Sequence, residues 1–230
     1  MDIGLVYIDA TRALRHFSKC KDSYIISHHE LLGWRDDKVQ YVTQLKFSNR
    51  RLYAQLRPDD NGLQHLIALQ ALIDNGKLVA PDALHLTLIH YGKVSEMYDD
   101  ISAVSGIDRT SYMAALGRFV QTIEQILPQQ PLLLQPSGFD KFGPGGMSLV
   151  IRYDATSKLR MIHACLYDEL SRLLRTIGIT DVDTFVQDNS NLQFTRVFRP
   201  HVTIALGYET TPLPTTTLKS VYFKAMPIVY

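Results

Sequence analysis

Two short stretches of the sequence carry the same polar residue types at the same spacing. They read "HLTL" at residues 85–88 and "HVTI" at residues 201–204. Because alternate residues of a β-strand share a face, each His and Thr would lie on one face and the two apolar residues on the other. An imidazole within an apolar strand needs a partner that satisfies it. The same pair in two strands indicates one shared active site, with two groups that exchange protons near neutral pH.

These tandem H-x-T-x motifs resemble the two-histidine (2H) phosphoesterase superfamily, which includes the 2′-5′ RNA ligase-like proteins and the RNA 2′,3′-cyclic phosphodiesterases. The resemblance covers residues 50–230 and includes Gly92 and the "FRPHVTIA" stretch at 198–205. The sequence departs from the RNA ligase-like pattern in two places. It has His90-Tyr91 where that group usually has Phe-Leu, and Ala205-Leu206 where it often has Ala-Arg.

The resemblance implies a metal-independent phosphodiesterase that hydrolyses the 2′,3′-cyclic phosphate of an RNA end or small nucleotide. By the same resemblance, His85 is the general acid toward the leaving ribose oxygen and His201 the general base toward water. Thr87 and Thr203 would bind the phosphate oxygens. Two imidazoles supply both proton transfers, so we expect neither a metal ion nor another cofactor.

Two other functions stay open at this stage. One is cleavage of 2′-5′ phosphodiester linkages or RNA ligation, and the other is a non-catalytic module that binds a nucleotide or an RNA end. Three aromatic residues close to the motifs are candidates for stacking a base, with core packing as the equal alternative. They are Tyr91, Phe198 and Tyr208.

The hydrophobic periodicity predicts an α+β fold. The resemblance makes it bilobal, with two pseudo-symmetric lobes of antiparallel sheet and outer helices around a central groove. We interpret residues 1–37 as an N-terminal extension and residues 38–230 as the 2H phosphoesterase-like domain. The predicted strands are 38–47, 51–57, 83–92, 131–139, 147–154, 199–208 and 219–230, and the predicted helices lie within 59–76, 111–127 and 157–178.

Composition excludes several classes of protein. A net charge of +1 over 230 residues argues against binding to duplex DNA, which needs many Lys and Arg side chains on phosphates. No apolar run is long enough to span a membrane, the N-terminus lacks a secretory signal, and Cys20 and Cys165 do not form a scaffold or zinc pattern. We therefore expect a cytoplasmic monomer that acts on an RNA end or a small cyclic nucleotide.

Other candidate sites are weaker. His28, His29, His65 and His90 lack the spacing of a metal-ligand set, which favours surface or packing roles. The glycine-rich stretch 143–146 is typical of a hairpin turn rather than a phosphate-binding loop.

Overall fold

A computed structural model of the protein describes residues 46–209, 212–226 and 228. The predicted strand at 38–47 and the predicted domain boundary at residue 37 lie largely or wholly outside this range. The strands are β1 (Arg51–Pro58), β2 (Lys77–Leu78), β3 (Leu86–Lys93), β4 (Leu132–Leu134), β5 (Pro136–Phe142), β6 (Ser148–Tyr153), β7 (His201–Leu206) and β8 (Val221–Ala225). The α-helices are α1 (Asp60–Gln70), α2 (Val94–Ser105), α3 (Arg109–Ile126), α4 (Ser157–Thr176) and α5 (Val182–Asp188).

The strands form one sheet in the order β4-β8-β1-β3-β7-β6-β5, with β2 paired to β7. Each of these pairs is antiparallel. Helices cover the apolar face, so the predicted α+β class is confirmed. No helix within the described residues is both long and apolar enough to cross a bilayer.

The sheet has two halves that meet where β3 lies beside β7. The meeting point is a single register pair, Leu86 opposite Val202, and both side chains are fully buried. β1 and β6 flank the two central strands on their outer sides. This brings the two H-x-T-x motifs together although most of the fold separates them along the chain.

Each central strand contains a bulge at the fourth residue of its motif. Along β3 the register moves from Thr87 opposite Gln55 to Ile89 opposite Ala54, which leaves Leu88 as the extra residue. In β7 the partner of Thr203 is Val150 and that of Ala205 is Leu149, so Ile204 is the extra residue. A bulge shifts the alternation of side chains by one residue, and two consecutive buried residues follow each threonine.

Helix α4 covers the core behind β3. Its buried apolar residues recur with helical spacing, as predicted, and charged residues occupy the exposed positions between them. The Thr156 side chain accepts a hydrogen bond of 3.2 Å from the backbone N–H of Leu159 and begins the helix. The buried positions include Leu159, Ile162, Leu166, Leu170 and Leu173.

Several predicted boundaries differ from the structure. Helix α1 ends at Gln70, and Gly76 instead forms a turn with φ near 87°, close against the carbonyl oxygen of Leu206. A Cβ at this position would lie 2.8 Å from that oxygen, so only glycine fits. The acidic stretch after β3, for which we predict a loop because it lies between the predicted elements 83–92 and 111–127, instead forms α2. Val94, Met97 and Ile101 supply its buried helical face.

The contact between α1 and β8 supports the half of the sheet that carries the first motif. A Cβ on Gly62 of α1 would overlap the Cγ1 atom of Val221 in β8. We expect Gly62→Ala to lower the free energy of unfolding by about 1–3 kcal/mol through overpacking, measured by urea denaturation. In the double variant Gly62→Ala/Val221→Ala, the loss of unfolding free energy should be smaller than the sum of the losses in the two single variants. Strict additivity would contradict a steric conflict at this contact.

Candidate active site

The register of β3 and β7 places four polar residues of the motifs on one face of the sheet, which we call the groove face. His85 precedes β3 and His201 opens β7, and both are partly exposed. Around the Leu86–Val202 pair, His85 lies opposite Thr203 and Thr87 opposite His201. The two histidines are thus a diagonal cross-strand pair, for which backbone separations of about 7–8 Å are usual.

Each histidine ring is held by the same contact with the chain two residues earlier. Nδ1 of His85 lies 2.7 Å from the carbonyl oxygen of Ala83, and Nδ1 of His201 lies 2.6 Å from that of Arg199. Because a carbonyl oxygen only accepts, Nδ1 must carry the hydrogen in both rings. In the neutral form this leaves Nε2 with a free lone pair, so Nε2 is the nitrogen that can accept a proton in each ring.

The surroundings lower the pKa of both imidazoles. Burial lowers the pKa of His85, the hydrogen bond to Ala83 opposes that effect, and the positive charges of Arg57 and His201 lower it further. Burial also lowers the pKa of His201, against the hydrogen bond to Arg199. Since the charge on His201 lowers the pKa of His85, the two rings lie close enough to interact electrostatically.

Three residues of β1 extend the groove face beside the first motif. Tyr53 stacks on the His85 ring with 5.2 Å between centroids and an angle of 27°. The register carries Arg57 to the position beside His85, and its guanidinium donates to the carbonyl oxygen of Asp82. Gln55 lies beside Thr87 and is 7% exposed, and its Oε1 has no hydrogen-bond partner among the described residues.

The second motif has corresponding neighbours on β5 and β6. Arg152 is the register partner of His201, just as Arg57 lies beside His85. The guanidinium of Arg152 forms an ion pair of 3.3 Å with Asp140. The Phe142 ring meets the His201 ring edge-on at a centroid distance of 4.6 Å. Each half of the site therefore combines a His-Thr pair with an arginine and an aromatic ring.

The three aromatic residues predicted to stack a base lie elsewhere. Tyr91 is buried in the core, where its hydroxyl donates to that of Tyr112, and Tyr208 is buried as well. Phe198 is partly buried and stacks on the ring of His163 at 4.5 Å. The bulge at Leu88 explains Tyr91, because the shifted alternation turns this residue away from the groove face, whereas Tyr208 lies beyond the end of β7. Tyr53 and Phe142 occupy the positions beside the histidines instead.

The remaining histidines have structural contacts. Arg51 donates to Nε2 of His90 at 3.1 Å, and Nδ1 of His90 donates to the carbonyl oxygen of Asn191. His65 accepts a hydrogen bond from the backbone N–H of Lys219. No group of three or more His, Cys, Asp or Glu side chains within the described part of the chain is arranged to hold a metal ion. His28 and His29 lie outside the described residues.

Comparison with protein-family models gives a match over residues 58–225 to the 2′-5′ RNA ligase superfamily. The chain belongs to this superfamily. The matched range contains both motifs, so the resemblance drawn from the two H-x-T-x motifs is confirmed. A comparison with curated protein sequences gives no significant match.

Solved structures of similar proteins share little sequence with this chain. TT0787 of Thermus thermophilus is 18% identical, with a TM-score of 0.42 over 78% of this chain and 84% of its own. Escherichia coli LigT in complex with 3′-AMP is 16% identical, with a TM-score of 0.43 over 77% of this chain and 94% of its own. The same LigT in complex with ATP is 17% identical, with a TM-score of 0.37 over 78% and 95% of the two chains.

The charge of Arg57 should be detectable at His85. Because a nearby cation disfavours the imidazolium form, we expect Arg57→Gln to raise the pKa of His85 and Arg57→Lys to keep it low. The measurement is a histidine NMR titration. Arg51→Gln is the matched control, since Arg51 lowers the pKa of His90 and should affect only that ring. An unchanged His85 titration in Arg57→Gln would contradict the proximity of the two groups.

Proposed function

We propose that the protein hydrolyses 2′,3′-cyclic phosphates at RNA ends or on small nucleotides, using His85 and His201 as the acid–base pair. The observation that supports this most is the diagonal placement of the two histidines on adjacent antiparallel strands, each with Nδ1 bound to a carbonyl oxygen. In this proposal the two Nε2 atoms, which come from separate strands, face one groove. A phosphorus centre between them can be served from both sides, as in-line displacement requires.

In the proposed reaction His201 takes a proton from a water molecule through its neutral Nε2. The water oxygen bonds to phosphorus while the bond from phosphorus to one ribose oxygen breaks. His85 gives its Nε2 proton to that oxygen, so the proton count balances and a phosphomonoester results. Thr87 and Thr203 lie opposite the two histidines, and in this proposal they donate to the non-bridging oxygens, where charge develops.

The assignment of His85 as the acid follows the family resemblance. It requires His85 to be protonated, so the effect of a nearby positive charge must be offset. Arg57 opposes the imidazolium form of His85 in the unliganded protein. The bound cyclic phosphate carries a negative charge, which favours protonation of an imidazole beside it. We therefore infer that substrate binding helps to load His85 with its proton, while Arg57 contributes positive charge toward the phosphate.

An activity assay distinguishes cyclic phosphate hydrolysis from the two other functions that the sequence left open. Cleavage of 2′-5′ linkages, or their formation, uses the same proton transfers with a ribose hydroxyl in place of water, and product analysis distinguishes it from hydrolysis. A non-catalytic binding module would retain nucleotide affinity without turnover. The two Nε2 atoms held by repeated carbonyl contacts favour catalysis, because binding alone does not require either ring to have a fixed reactive nitrogen.

Each histidine should be indispensable for turnover. We expect His85→Ala and His201→Ala each to lower kcat by about 10²–10⁴-fold, because each removes one proton transfer. The assay follows hydrolysis of a nucleoside 2′,3′-cyclic phosphate in EDTA, where the wild-type rate should persist. His65→Ala, on helix α1, is the matched control and should retain activity. Loss of the wild-type rate in EDTA would contradict the metal-independent mechanism.

The pH dependence should follow the lowered pKa values of the two histidines. The profile of kcat/KM reports the acid and base of the free enzyme and is expected to be bell-shaped. Because both pKa values lie below the ordinary 6.5, its maximum should fall at mildly acidic pH. Activity falls below the maximum as the base is protonated and above it as the acid loses its proton. A maximum well above pH 7 would contradict this assignment.

A further inference from the structure

A cavity of about 350 Å³ adjoins the second motif, and its lining residues take no part in the proposed proton transfers. Four of its lining residues are connected to His201. Phe142 contacts the His201 ring, Arg152 is its register partner on β6, Arg199 accepts the Nδ1 hydrogen bond, and Pro200 precedes it in the chain. The cavity therefore lies next to the proposed position of the reacting phosphate.

The lining combines an aromatic ring with groups that both donate and accept hydrogen bonds. Phe142 offers an aromatic surface, and Ser137 adds a hydroxyl. Arg152 and Asp140 form an ion pair at 3.3 Å, which leaves further N–H groups on the guanidinium and further lone pairs on the carboxylate. A carboxylate in the lining disfavours a second phosphate, whereas a nucleobase has both donor and acceptor edges and an aromatic face. The volume lies within the range of small-molecule sites.

We propose that this cavity binds the nucleoside that carries the cyclic phosphate, with the base against Phe142 and the polar edges toward Arg152 and Asp140. The inference rests on the proposed function, because it takes the phosphate to lie between His85 and His201. It assigns the nucleoside to the half of the sheet formed by β5, β6 and β7. The direction in which the substrate crosses the groove follows from this placement.

The test compares, in each variant, two substrates that contain the same reactive cyclic phosphate. One is a nucleoside 2′,3′-cyclic phosphate, and the other is glycerol 1,2-cyclic phosphate, which has the same five-membered ring but no base. Phe142→Leu should raise KM for the nucleotide about tenfold or more relative to the base-free substrate, and Phe142→Tyr should restore it. Any disturbance of His201 itself would affect both substrates alike, so the ratio of the two KM values isolates the cavity.

Arg152→Gln should raise the same ratio, whereas Arg118→Gln, which removes an equal charge from the exposed face of α3, should leave it unchanged. If the wild-type protein hydrolyses both substrates and the ratio does not change in Phe142→Leu or Arg152→Gln, the cavity does not bind the nucleoside and the proposed function stands. If the wild-type protein hydrolyses neither, the proposed function is wrong and this inference is wrong with it.

Discussion

The site depends on the contact between β3 and β7, where two strands from different halves of the sheet lie side by side. The buried pair of Leu86 and Val202 holds this contact, and each of these side chains has a catalytic candidate on either side of it in sequence. Burial of the two apolar residues on the helix side fixes which way the histidines point. The energy that positions the polar groups therefore comes from the hydrophobic core behind them.

Hydrogen bonds from Nδ1 to carbonyl oxygens then set the chemistry of the rings. Ala83 and Arg199 accept these bonds from equivalent places in the two halves, so the same short-range geometry fixes both tautomers. The halves differ in their outer neighbours. Arg57 acts on His85 through its charge, whereas Arg152 is neutralised by Asp140 beside His201. An almost symmetric pair of groups thus acquires two different environments.

The motifs were accessible from the sequence because a His and a Thr stand out at alternate positions of apolar strands. The amphipathic helix α4 and most of the strands in the described residues were predictable for the same reason of periodicity. The partners on neighbouring strands were not, since register is set by long-range pairing. Alternation in "RLYAQLR" does place Tyr53 and Arg57 on one face, yet nothing local shows that this face meets His85. The bulges at Leu88 and Ile204 also escape a pattern based on strict alternation.

Those bulges have a consequence for which changes in chain length the fold can accept. Within each motif, deletion or insertion of one residue would exchange the groove and core faces of the strand. Between the motifs, the helices and loops that join the strands lie outside the sheet, and extra residues there cost little conformational entropy. Relatives should thus vary freely in the length that separates the two histidines and keep each four-residue motif free of gaps.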